Sequence, residues 1–183
     1  MADNLMPETI VELQELLRRH GLDSDKYATG KAKTLDHLLH EVRSGECSLF
    51  LEEGVLIRGV ELVGLNITRG NQVLEELFQE FYEGQRRRTR KLDASAGEKM
   101  KPGETPEKAV KRLVKEEFPI LLSSLGTLSR GDDISRGAES LSYPGLVTKY
   151  TIHMFSIELS IELPPFVVME EDKWVGYGWV TKP

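Results

Sequence analysis

The sequence predicts a mixed-sheet α/β (α+β) domain, residues 46–183, preceded by an N-terminal helical extension over residues 1–45. Three observations carry this. Apolar residues recur at helical spacing over 7–20 and again over 35–43, before any strand signal. β-branched and apolar runs broken by glycine take over from Cys47. One strong helix, 105–118, has strands before and after it, a pattern of sheet and helix packed around one core.

The elements follow in order. In "PETIVELQELLRRH", Ile10, Val11, Leu13, Leu16 and Leu17 form the apolar stripe, and Gly21 ends the helix. Thr34 is placed to cap a second helix, "LDHLLHEVR", which ends near Gly45. "SLFLEEGVLIRGVELVGLNITR" reads as strands broken at Gly54 and Gly64. A hairpin is expected next, with a strand over 72–81, a turn at "YEGQ" and a strand over 86–92. Thr105 caps the strong helix, Pro106 suits its first turn and Pro119 ends it. "ILLSSLGTLS" reads as a strand and turn, and "RGDDISRGAESLSYPG" as a mobile loop. "LVTKYTIHMFSIEL" is a long strand whose apolar face switches near Met154, and "KWVGYGWVTK" is the last strand.

Bulk properties narrow the function. The net charge of −6 gives no pull toward nucleic acid or acidic membranes. The single cysteine, Cys47, excludes an internal disulfide framework and a thiolate metal cluster. The acidic start does not resemble a signal peptide, and no apolar run reaches the ~18 residues a membrane helix needs. A cytoplasmic address is the simplest expectation. The N-terminal helices are expected either to pack on the sheet or to mediate homodimerisation.

The strong helix carries the chemistry. With Ala109 at 0° and ~100° per residue, Leu113 (about 40°), Val110 (about 100°) and Val114 (about 140°) form the core-facing stripe. Glu117 falls at about 80°, within that stripe, and Glu116 at its edge, one turn beyond Arg112. A buried carboxylate must be paired, protonated or bound to a cation, and hard cations such as Mg²⁺ favour its oxygens. A solvated helix end before Pro119 is the other reading of Glu116 and Glu117.

The stretch "EKMKPGETPEKAVKRLVKEEFPI" resembles a Nudix box, the loop–helix signature of Nudix hydrolases. Glu104 takes the first glutamate position, Arg112 the arginine, Glu116 and Glu117 the paired glutamates, and Ile120 the closing apolar residue. The resemblance implies an α/β/α sandwich, Mg²⁺ or Mn²⁺ held by Glu104, Glu116 and Glu117, and hydrolysis of a nucleoside diphosphate derivative. It gives Arg112 the role of orienting the glutamates. Three positions depart from the pattern. Glu98 stands for the opening glycine, Pro119 for the closing one, and Leu113 for the glutamate after the arginine. Leucine neither binds a metal nor accepts a proton, so the general base is unassigned. Glu98 is a compensating candidate, as are Asp132, Asp133, Glu139, Glu170 and Glu171. The loss at Leu113 also fits a catalytically inactive binding or regulatory module on the same fold.

"RRRTRK" puts Arg86, Arg88 and Arg90 on one strand face. Two readings stand: a phosphate clamp, or a charged edge that deters strand pairing. Trp174, Tyr177 and Trp179 alternate unevenly; they are expected to close a core, with stacking on a base as the other reading.

Overall fold

The computed structural model describes residues 4–30, 32–83, 86–89, 94–119, 127–161, 163–170 and 172–182. Arg90, Lys91, Glu171, Ile120 and most of the strand expected at 120–129 lie outside them. The fold class is the predicted α+β, with 44% strand against 22% helix. Contacts divide the chain into two compact units. The first is Met1–Leu62, Lys99–Glu104 and Ile134–Ile152, and the second is Val63–Glu98, Thr105–Asp133 and His153–Pro183.

In the first unit, helix α1 (Ile10–Arg19) starts at Thr9, whose side chain accepts the Glu12 amide. It buries Leu13 and Leu17, whereas Val11, expected on the apolar stripe, is exposed. Helix α2 (Leu35–Arg43) is capped by Thr34, as its sequence predicts, through the His37 amide. Strand β1 (Asn4–Leu5) pairs antiparallel with β2 (Ser48–Glu52), and β2 with the first part of β3 (Val55–Arg69). Gly64 sits inside β3 and does not break it. Leu13, Leu17, Leu38 and Val42 of the helices share a core with Leu49, Leu56, Tyr143 and Leu146.

Composition misleads at 134–139. The Gly- and Ser-rich stretch expected as a loop is strand β8 (Ile134–Glu139), paired from Ile134↔Ile152 to Glu139↔Val147 with strand β9 (Val147–Glu158). Most of its side chains are exposed, so it shows no apolar alternation to read. Backbone pairing with a long neighbour overrides the turn signal.

The second unit holds the end of β3, which turns into β4 (Gln72–Phe81) through Thr68↔Val73. The hairpin partner β5 is Arg87–Arg88, with Arg86 and Thr89 outside the strand; residues 90–92 of the expected 86–92 lie outside the described residues. Strand β6 (Ala96–Lys99) lies beside β3, and β7 (Ser129–Arg130) beside β9. Strand β11 (Lys173–Thr181) pairs antiparallel with β4 on one side and with β10 (Phe166–Met169) on the other. Helix α3 (Pro106–Glu117) buries Ala109, Val110, Leu113 and Val114, the stripe its sequence predicts. No helix among the described residues is long and apolar enough to cross a membrane.

One ion cluster sits in the first core. The Glu41 carboxylate is buried and receives Lys33 Nζ at 2.7 Å and Arg58 Nη2 at 2.5 Å. Burial alone would raise its pKa, but the two cations win and hold it at about 2, below the ordinary 4.5. A depressed carboxylate stabilises the fold above its ordinary pKa and loses that contribution as the pH falls through the folded value. Glu41→Gln is expected to cost roughly 3 kcal/mol in chemical denaturation at neutral pH, since Arg58 keeps its burial without its counter-charge. The deficit should shrink between about 4.5 and about 2; a deficit constant across that window contradicts the assignment.

Candidate functional site

The C-terminal half of α3 presents the acidic residues. Thr105 starts this helix by accepting the Lys108 amide, and Phe118 closes it through a bond to the Val114 carbonyl. The phase set there puts Leu113 fully inside the core. Arg112, one residue earlier, lies at the stripe's edge with its side chain 15% exposed.

Arg112 joins two acids. Its Nη1 is 3.5 Å from Glu98 Oε1 on β6 and 3.4 Å from Glu116 Oε2 one helical turn on. Glu98, the compensating candidate, therefore meets the helix through the arginine. Glu116 is half exposed.

Glu117 has a different partner. The Tyr177 hydroxyl of β11 donates to Glu117 Oε2 at 2.8 Å. Tyr177 is buried, against the rings of Phe118 and Phe166. Burial, then Glu117, Glu76 and Glu170, push its phenol well above the ordinary range, so it stays a neutral donor. This answers the carboxylate on the apolar stripe of α3.

A polar line continues on the same face of β4, and sequence alone does not expose it. The β4–β11 register shifts between Gly176 and Tyr177, so Gly176 faces Phe78 and Tyr177 faces Glu76. Leu77 is the extra residue, and it is exposed. The bulge brings Glu76 and Gln79, three apart, to one buried face, where Gln79 Nε2 donates to Glu76 Oε2 at 3.2 Å. Gln79 Oε1 in turn accepts Arg88 Nε at 2.7 Å. A strict period of two would put residues 76 and 79 on opposite faces, which hides the pair from periodicity.

The other candidates have contacts of their own. Glu104 belongs to the first unit, where its Oε2 accepts the Lys101 amide at 2.9 Å and closes its own turn. It lines a cavity of about 380 Å³ with Glu46, Cys47, Glu61 and Lys101. Asp133 pairs with Arg130 at 2.5 Å and with His153 Nδ1 at 2.9 Å. Glu139 accepts the Gly145 amide, and Glu170 pairs with Lys173. Arg86 and Arg88 both lie over the Phe81 ring, at 4.7 and 5.1 Å. Trp174, expected in a core, is 42% exposed. Among the described residues no three His, Cys, Asp or Glu side chains form a group that could hold a metal ion.

No family model matches the chain, and neither does any curated protein. Among solved structures, the Caenorhabditis elegans Ap4A hydrolase is similar at 17% identity and a TM-score of 0.38, over 67% of this chain and 80% of that one. DR0079 from Deinococcus radiodurans is similar at 17% identity and a TM-score of 0.39, over 67% of each chain. Both likenesses lie at the level of fold and identify no residue of this site.

The burial of Leu113 changes what a restored glutamate would do. Leu113→Glu puts a carboxylate into a fully buried position and is expected to cost roughly 3 kcal/mol or more. For a chain of this size that corresponds to a fall of roughly 10 °C in melting temperature. A melting curve that overlays the wild type would mean that the position opens to solvent.

Proposed function

We propose that this chain is a Nudix-like hydrolase acting on nucleoside diphosphate derivatives with Mg²⁺ or Mn²⁺, working from a degenerate loop–helix signature. The observation that carries the reading is Arg112, which draws Glu98 and Glu116 together from two elements. That is the orienting role the resemblance assigns to the arginine.

Glu116 and Glu117 are the residues that would hold the metal. Mg²⁺ commonly takes one or two protein carboxylates and completes its shell with water and substrate phosphate, so two acids suit it without a larger cluster. When bound, such an ion neutralises phosphate charge and orients the attacking water. The protein's own part is positional. Arg112 holds Glu116, and Tyr177 fixes one oxygen of Glu117 as a neutral donor. Leu113 contributes packing and no proton transfer.

A second reading, motivated by leucine in place of glutamate at 113, is a catalytically inactive binding or regulatory module on the same fold. One experiment separates the two: a panel of nucleoside diphosphate derivatives assayed for phosphoanhydride cleavage with Mg²⁺ or Mn²⁺, beside melting curves with each metal. The hydrolase reading expects metal-dependent cleavage and a metal-induced rise in melting temperature, both abolished in Glu117→Gln. Tyr177→Phe should weaken metal affinity by roughly tenfold, the usual effect of losing a partner that orients a ligand. Stabilisation by the compounds with no cleavage selects the binding module.

A further inference from the structure

The arginines of the β4–β5 hairpin divide into two kinds. Arg87 faces Glu80 across the strands and lies over Phe78 at 4.1 Å. It has an acid opposite, as a charged edge strand commonly does. Arg88 faces Gln79 instead. Its guanidinium is fixed on two sides: Nε donates to the fully buried Gln79 amide at 2.7 Å, and the ring of Phe81 lies beneath it. Arg86 lies over the same ring. Among the described residues none of Arg86, Arg87 and Arg88 forms an ion pair with a carboxylate, but Arg87 has Glu80 opposite it and Arg88 has an amide, in a chain with 30 acidic side chains against 24 basic ones.

Gln79 is the telling choice. A glutamate there would neutralise Arg88. The amide instead orients the guanidinium and leaves its charge intact, while its own NH₂ is taken up by Glu76. An oriented, uncompensated guanidinium with its two Nη groups directed away from Nε suits a phosphate, which it binds through paired hydrogen bonds. Edge protection needs charge alone and gives no reason to fix the side chain from a buried amide.

We propose that Arg86 and Arg88, seated on Phe81, form a receptor for the diphosphate group of the ligand, with Gln79 as the residue that positions Arg88. This deepens the hydrolase reading, and rests on it for the class of ligand. The receptor lies on the same face of β4 and β11 as Glu76 and Tyr177, whose hydroxyl holds Glu117.

The test is calorimetric titration of the full chain with inorganic pyrophosphate, with chelator present and no divalent metal. Saturable binding by the wild type is expected. Arg88→Lys keeps the charge and loses the fork, and should weaken binding by roughly tenfold. The double variant Arg86→Ala/Arg88→Ala should bind too weakly to measure. Gln79→Glu should weaken binding without removing either arginine. Arg87→Ala, on the opposite face, should bind like the wild type. All four are checked for folding by melting curves, and the arginine variants alter exposed side chains only. The proposal falls if the wild type does not bind pyrophosphate, if the double variant binds it undiminished, or if Arg87→Ala loses as much as Arg88→Lys. Because the titration is free of metal, its outcome is independent of turnover. Binding without cleavage removes the hydrolase reading alone, and cleavage without arginine-dependent binding removes this proposal alone.

Discussion

The hydrogen bond from the Tyr177 hydroxyl to Glu117 is the contact on which the second unit's polar face depends. Glu117 lies on the side of α3 that otherwise carries Ala109, Val110, Leu113 and Val114. An acid so placed is stable only with a partner, because the desolvation of an unpaired carboxylate outweighs what packing there would gain. The phenol is a suitable partner. Its own burial keeps it protonated, and the neighbouring acids reinforce that, so it donates without bringing a second charge into the core. Helix end and strand middle are thereby tied at one point, beside the aromatic group of Phe118, Phe166 and Tyr177.

Arg112 and Leu113, adjacent in sequence, show how the loop–helix has been divided. The arginine stays at the rim of the stripe and collects acids from β6 and from its own helix. The leucine has joined the core completely. The element sets a cation that gathers carboxylates beside a leucine that only packs. Any proton transfer in this protein must therefore come from side chains outside that position.

Much of this was legible in the sequence where local chemistry decides. Thr34 and Thr105 announce their helices because a cap is a bond between near neighbours. The stripe of α3 follows from spacing, and β4 emerged with its expected bounds despite its glutamates. What was not legible depends on pairing. Strand β8 has scarcely a buried side chain and is held by the backbone of β9, a relation no window of residues contains. Val11 has the spacing of a core residue, and tertiary contacts leave it in solvent. The acids of α3 and Glu98 were named from the sequence, but the partner Tyr177 comes from another element and carries no local mark. Gln79 and Glu76 were the hardest, because their shared face exists only through an irregularity of the neighbouring strand pair.

That irregularity has an evolutionary corollary. The single surplus residue at Leu77 acts as a phase setter: everything on β4 before it answers to one parity and everything after it to the other. Point changes at Leu77 leave that count untouched, and deleting the surplus residue would leave the acid and the amide two apart in a regular strand, still on one side. Descendants of this chain should thus drift freely at residue 77, even to its loss together with the bulge, whereas a strand that keeps all three steps but pairs regularly would part the two polar side chains.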